Sequence, residues 1–193
     1  MENKFPIIGE KINDFELDVY QSERFKKIKL SEYLGKWVVL FFYPADFTFV
    51  CPTELEELAN SYSAFQQMNT EILSVSTDTT FVHKAWHDYS PAIKKINYPM
   101  VADPTGQLSR EFGVYIEAEG LARRGTFIID PEGILQAFEI HANNIGRSAT
   151  ELVRKIQAAQ FVRENNGEAC PASWKPGNKT LTPGIDLVGK RKR

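Results

Sequence analysis

Trp37-Val38-Val39-Leu40-Phe41-Phe42-Tyr43 is the longest fully apolar run in this chain of 193 residues, and Pro44 ends it. Aromatic and β-branched residues dominate it, and at seven residues it has the length of a strand. The pattern predicts a strand buried on both faces, as in a sheet covered by helices on each side. It is far short of the roughly 20 apolar residues that a membrane-spanning helix needs. Further short strands are expected at Ile72–Ser76 and Pro99–Ala102. Thr126–Ile129 and Ile134–Ile140 flank Asp130-Pro131-Glu132-Gly133 and read as a β-hairpin. Pro presets φ for such a turn, and Gly accepts a positive φ. Between the strands, Leu55, Leu58, Ala59, Tyr62 and Phe65 recur at helical spacing after Pro52, as do Val82, Ala85, Trp86 and Tyr89. Ser148 and Glu151 have the spacing of a capping box and open a helix carrying Leu152, Val153, Ile156 and Ala159.

The resulting order is β, α, β, α, β, short helix, β-hairpin, α. It predicts an α/β protein with a central mixed sheet flanked by helices, in the order of a thioredoxin-like fold. The character changes near Glu164. Asn165-Asn166-Gly167 breaks the helix, and Pro171, Pro176, Gly177, Pro183 and Gly184 follow. The expected organisation is a domain over residues 1–164 and an extended C-terminal arm over 165–193. With 42% hydrophobic and 25% charged residues, the composition excludes a disordered or collagenous chain. The formal net charge is −2 even though the last four residues, Lys190-Arg191-Lys192-Arg193, are all basic. These four read as a solvated tail, so neither a nucleic-acid nor a membrane partner is expected. Met1-Glu2-Asn3-Lys4 lacks the start of a secretory signal, and a cytoplasmic protein is expected.

Cys51 and Cys170 are the only two cysteines. Two exclude a disulfide scaffold and a four-cysteine zinc site. Cys51 directly precedes Pro52, and Pro favours the first turn of a helix. Cys51 therefore belongs at or near the N-cap of a helix beginning Pro52-Thr53-Glu54. Unpaired N–H groups and the helix dipole favour negative charge there, so such a cysteine tends towards the reactive thiolate. A buried, inert thiol fits the same position, and position alone leaves both readings open. His83 and His87 stand at i and i+4, a spacing that suits metal binding. No third ligand and no zincin pattern accompany them, so no metal is expected.

Pro44-Ala45-Asp46-Phe47-Thr48-Phe49-Val50-Cys51 carries the spacing Pro-x-x-x-Thr-x-x-Cys. With Pro52-Thr53-Glu54 it resembles the active-site motif of the peroxiredoxins. Val101–Gly106, Arg124–Pro131 and Ile145–Ser148 are similar to segments of that family in the same order. Glu168-Ala169-Cys170-Pro171 through Gly177 resembles the resolving-cysteine segment of its typical two-cysteine subgroup. The stretch from Leu181 to Lys190 looks most like the bacterial alkyl hydroperoxide reductases.

The resemblance implies that Cys51 is the peroxidatic cysteine and Cys170 the resolving one. Thr48, Pro44 and Arg124 would complete the pocket, with Glu54 and Arg147 as a supporting polar network. Strand alternation puts Arg123 and Arg124 on opposite faces without saying which faces inward. The family places its arginine directly before the Gly, which selects Arg124. The Thr48 hydroxyl is expected to curl towards the sulfur or a substrate oxygen, and Phe47 and Phe49 to pack and shape the loop. The implied reaction reduces a hydroperoxide, passes through a sulfenic acid at Cys51 and an intersubunit disulfide to Cys170, and uses no cofactor. The implied partners are a disulfide reductant, either thioredoxin or a flavoprotein disulfide reductase, and further copies of the chain as a homodimer and a decamer. A thiol–disulfide oxidoreductase is the nearest rival, but it would want Cys at position 54, where Glu stands. A holdase chaperone is a second rival, and its activity would survive Cys51→Ser.

Overall fold

The computed structural model describes residues 5–189, so the basic ending Lys190–Arg193 lies outside the described residues. Among the described residues thirteen strands and α-helices follow one another. They are β1 (Glu16–Gln21), β2 (Arg24–Lys29), β3 (Trp37–Phe42), α1 (Cys51–Gln67), β4 (Thr70–Ser76), α2 (Thr80–Tyr89) and β5 (Met100–Ala102), then α3 (Gln107–Glu111), β6 (Tyr115–Ile116), β7 (Leu121–Ala122), β8 (Arg124–Ile129), β9 (Leu135–His141) and α4 (Ala149–Glu164). Seven strands form one sheet in the order β2-β1-β5-β4-β3-β8-β9. β3, β4 and β5 run parallel, while β1, β8 and β9 pair antiparallel with their neighbours, so the sheet is mixed as expected.

Every residue of β3 is buried, in agreement with its unbroken apolar run. Val38, Leu40 and Phe42 point into one core with Phe112, Phe127 and Ile129. By alternation, Val39 and Phe41 face the opposite side of the sheet. Phe41 is the register partner of Thr126, which places Thr126 and Arg124 on that second side. The hairpin turn forms as read: the Gly133 N–H donates to the Asp130 carbonyl at 2.9 Å, and Gly133 has a φ of 81°. α4 begins at Ala149, one residue after Ser148.

The β1–β2 hairpin has no counterpart in the sequence reading. In β2, Arg24-Phe25-Lys26-Lys27-Ile28-Lys29, only Ile28 is buried. Its charged residues mask the period-2 signal that marks a strand. Lysines on such an edge strand also discourage pairing with another chain.

The chain divides into two compact units, residues 1–149 and 150–193. The first holds the sheet with α1 and α2. In the second, the Trp174 ring lies 4.8 Å from Phe161, and the Trp174 Nε1 donates to the Asn178 carbonyl at 3.1 Å. Ala169 and Leu181 exchange backbone hydrogen bonds of 2.8 and 3.0 Å. Regular structure beyond α4 is otherwise limited to one short 3-10 turn at Ile185–Leu187 among the described residues.

Candidate active site

Cys51 is the first residue of α1, with Pro52 second and Val50 at the N-cap. The helix therefore starts one residue earlier than a Cys51 cap would require. Cys51 is fully buried. Thr53 and Glu54 donate backbone N–H bonds to the Val50 carbonyl, which closes the first turn beneath the sulfur. Pro44 is buried at the start of the preceding loop.

One loop expectation is narrowed and one needs correction. The Thr48 hydroxyl donates to the Ala45 carbonyl at 2.9 Å rather than curling to the sulfur. That bond ties the loop to itself and leaves the hydroxyl oxygen as an acceptor. Phe49 is 93% exposed and packs into no core. Its position between Thr48 and the helix start turns its side chain outward, where a sequence pattern cannot distinguish it from a packed aromatic. Phe47 is half exposed, with its ring 5.9 Å from Trp86 and 6.1 Å from Tyr89.

The sequence-predicted Arg124, Glu54 and Arg147 come together, and Arg124 joins them to Cys51. Arg124 Nη1 lies 3.4 Å from the Cys51 Sγ and 2.6 Å from Glu54 Oε2. Arg124 Nε donates to the Asn143 carbonyl at 2.8 Å, which fixes the plane of the guanidinium. Arg147 binds Glu54 three times, through its backbone N–H at 2.8 Å, Nε at 2.9 Å and Nη2 at 3.1 Å. Its Nη1 reaches the Gly125 carbonyl and Thr126 Oγ1, and the group stacks 3.4 Å above the Phe41 ring. All three charged residues are buried. Burial pulls the Arg147 guanidinium below its usual range, opposed by the bond and charge of Glu54. Two guanidinium groups share the buried carboxylate of Glu54, and Arg124 is the one that reaches the sulfur. Arg123 is exposed, which resolves the choice between the two arginines.

A second buried network, unread in the sequence, ties the loop from the other side. Asp46 accepts a 2.7 Å hydrogen bond from the Tyr43 hydroxyl, and His83 Nδ1 lies 2.8 Å from its other oxygen. His83 Nε2 faces the Val101 carbonyl at 3.1 Å. The Asp46 N–H donates to Asp78 at 2.8 Å, and Ser76 Oγ holds the same Asp78 oxygen at 2.7 Å. Burial pulls the His83 imidazole down, but Asp46 outweighs it and holds the group above its ordinary value. The legible signals were Asp46 inside the Pro44–Cys51 motif and His83 in the apolar register of α2.

The His83 nitrogens face Asp46 and the Val101 carbonyl, while those of His87 face the Tyr20 hydroxyl and the Ile96 carbonyl. Glu23, His87 and Asp88 do cluster, but the Lys84 ammonium sits 2.6 Å from Asp88 and 3.7 Å from Glu23. Within the second unit, the Cys170 Sγ lies 3.8 Å from the Ala158 carbonyl. Burial pushes its thiol up, partly offset by Arg154.

A buried thiol at a helix start, gripped by a guanidinium on a thioredoxin-like sheet, defines a peroxiredoxin. A model of the AhpC/TSA family matches residues 8–138, and one of the C-terminal domain of 1-Cys peroxiredoxin matches residues 158–191. The chain belongs to the AhpC/TSA family and is a thiol-dependent peroxidase. Alkyl hydroperoxide reductase C of Staphylococcus aureus is 58% identical over 170 residues, which cover 88% of this chain and 90% of that protein. Enterococcus faecalis AhpC superposes with a TM-score of 0.84 at 50% identity, covering 86% of this chain and all of that one. The reduced 2-Cys peroxiredoxin of Plasmodium vivax gives a TM-score of 0.89 at 31% identity, over 95% of this chain and 98% of that one.

Proposed function

We propose that this chain reduces hydrogen peroxide and organic hydroperoxides at Cys51 and resolves the product with Cys170. The 3.4 Å approach of Arg124 to the Cys51 sulfur carries the reading. The thiolate attacks the terminal peroxide oxygen, the O–O bond breaks, and the departing oxygen takes up a proton. Cys51 becomes a sulfenic acid. Cys170 of a second copy then attacks that sulfur, releasing water and forming an intersubunit disulfide, and an external reductant restores both thiols.

Each site residue has a role that its contacts support. Arg124 holds the thiolate and stabilises charge moving onto the leaving oxygen. The Thr48 oxygen accepts a hydrogen bond from the peroxide and aligns it for attack. Pro44 shields the pocket from water. Glu54 and Arg147 hold Arg124 in place. The arm beyond residue 164 carries Cys170 to its partner. β9 ends the seven-stranded sheet and offers an edge for antiparallel pairing of two copies, five such dimers closing a decamer. Among the described residues no helix is long and apolar enough to cross a membrane, and the protein acts in the cytoplasm, where thioredoxin or a flavoprotein disulfide reductase supplies electrons.

The test follows peroxide loss by the purified protein with each reductant in turn. Wild type is expected to turn over with one of them, and Cys51→Ser with neither. Arg124→Ala should lower the rate of the Cys51 reaction by about 10²–10³-fold. An unchanged rate in Arg124→Ala would remove Arg124 from the mechanism.

A further inference from the structure

A fully buried Cys51 sulfur cannot meet a second cysteine while the loop and first helical turn stay folded around it. A disulfide needs Cα atoms within roughly 7 Å, so this segment must open once per catalytic cycle. The residues that hold it closed therefore bear on the fate of the oxidised sulfur. The loop carries a strained point. Phe47 has a φ of 53°, a left-handed conformation that non-glycine residues keep only where neighbours enforce it.

The enforcement comes from Asp46, the residue before it. Its side chain is held by Tyr43 at the end of β3 and by His83 on α2. Its backbone is held by Asp78, just beyond β4. Both His83 nitrogens face acceptors, the Asp46 carboxylate and the Val101 carbonyl on β5. With a proton on each, the ring binds both at once and fastens the loop to two separate elements. Among the described residues the Cys51 sulfur is hydrogen-bonded by Arg124 and by none of these groups, so their part is indirect.

We propose that Asp46 and His83 are positioning residues whose buried pair sets how long the loop stays folded around Cys51, and so how its sulfenic acid divides between two fates. The inference rests on the peroxidase reading above. In one fate the loop opens, the Cys170 thiolate attacks the Cys51 sulfur, the hydroxyl leaves as water, and a disulfide forms. In the other the loop stays closed and the sulfenate attacks a second hydroperoxide. That O–O bond breaks, the sulfur gains an oxygen to become a sulfinate, and a second alcohol or water leaves. A tighter clasp favours peroxide attack and overoxidation, and a looser one favours the disulfide.

The variants are His83→Gln, Asp46→Asn and Tyr43→Phe, the last removing a single hydroxyl and keeping the ring. Two quantities are read in single turnovers of the full-length protein. One is the second-order rate of Cys51 with hydrogen peroxide. The other is the peroxide concentration at which half of Cys51 is recovered as sulfinic acid by mass spectrometry. Each variant should react about tenfold more slowly with peroxide, while the half-sulfinic concentration rises more than that slowing alone accounts for. The double variant Asp46→Asn/His83→Gln should do no more than the stronger single one, because both break one clasp. A purely structural role would lower the melting temperature and leave the partition between disulfide and sulfinate unchanged. That result in a folded Tyr43→Phe and His83→Gln would overturn the proposal. A wild type in which Cys51 is not oxidised by peroxide would instead overturn the peroxidase reading beneath it.

Discussion

Glu54 shows how little of an active site a motif contains. Its place three residues after Cys51 puts it one turn further along α1, but its two oxygens are filled by arginines distant in sequence. Removing one partner of a buried ion pair leaves the others desolvated and uncompensated, typically at a cost of about 3–5 kcal/mol. Glu54→Gln should destabilise the protein by about that much in chemical denaturation, and should slow the Cys51 reaction because Arg124 loses its orientation. A cost below about 1 kcal/mol would mean that the cluster reorganises freely. The motif pointed to Cys51, which is buried at the start of α1, and proposed Pro44 and Thr48 beside it. It could not show that Thr48 bonds Ala45, since a hydroxyl's partner depends on how the loop closes. Alternation alone could not separate Arg124 from Arg123, because it assigns opposite faces without saying which face meets α1; the resemblance selected Arg124.

β8 is the element on which the site depends, and Gly125 is its tightest point. A Cβ there would sit 2.7 Å from Val114 Cγ1 and 2.8 Å from Phe127 Cε2. Gly125→Ala should cost about 1–3 kcal/mol through overpacking, and should shift Arg124 enough to lower the peroxide rate. Thermal unfolding and single-turnover kinetics on the same variant check both effects. The C-terminal arm carries a prediction of opposite character. The Cys170 thiol is pushed up by burial, and only the thiolate attacks sulfur. Below its raised value Cys170 is mainly protonated, so disulfide formation should accelerate as pH rises through that value. Rapid-mix alkylation of the sulfenic intermediate at several pH values reads the rate directly, and a flat profile would show that the approach of the arm, not the thiol, limits the step. β3, α1 and the Asp130–Gly133 turn were legible because each has a strong local signal. The β1–β2 hairpin was not, because β2 is stabilised by pairing with β1 while its side chains remain charged and exposed.

The proposed link between two copies is tested by where the disulfide forms. Peroxide treatment without reductant should move the chain on a non-reducing gel from its 22.0 kDa position to that of a covalent dimer. Mixing Cys51→Ser with Cys170→Ser chains should restore part of the activity, because each supplies the cysteine the other lacks. An oxidised product that remains monomeric would place the bond within one chain. In the proposed cycle the clasp of Asp46, His83 and Tyr43 that holds the Cys51 loop is what must open before an intersubunit bond can form.

Local chemistry was enough to specify the class of fold and to place Cys51 at a helix start, while the choice between a reactive and an inert thiol came from the resemblance of the surrounding motif. An apolar run, a Pro-started helix and a Gly-containing turn each act over a few residues, and their order along the chain leaves few topologies. The site's electrostatics came from elsewhere. Arg124, Glu54 and His83 lie on separate elements and Arg147 and Asp46 in loops, and their partnerships exist only because the sheet brings β3, β5 and β8 beside α1 and α2. Burial then removes the water that would otherwise satisfy each charge, so every one must find its partner in the protein. Which partner it finds is a property of the packed molecule, and no stretch of chain carries it alone.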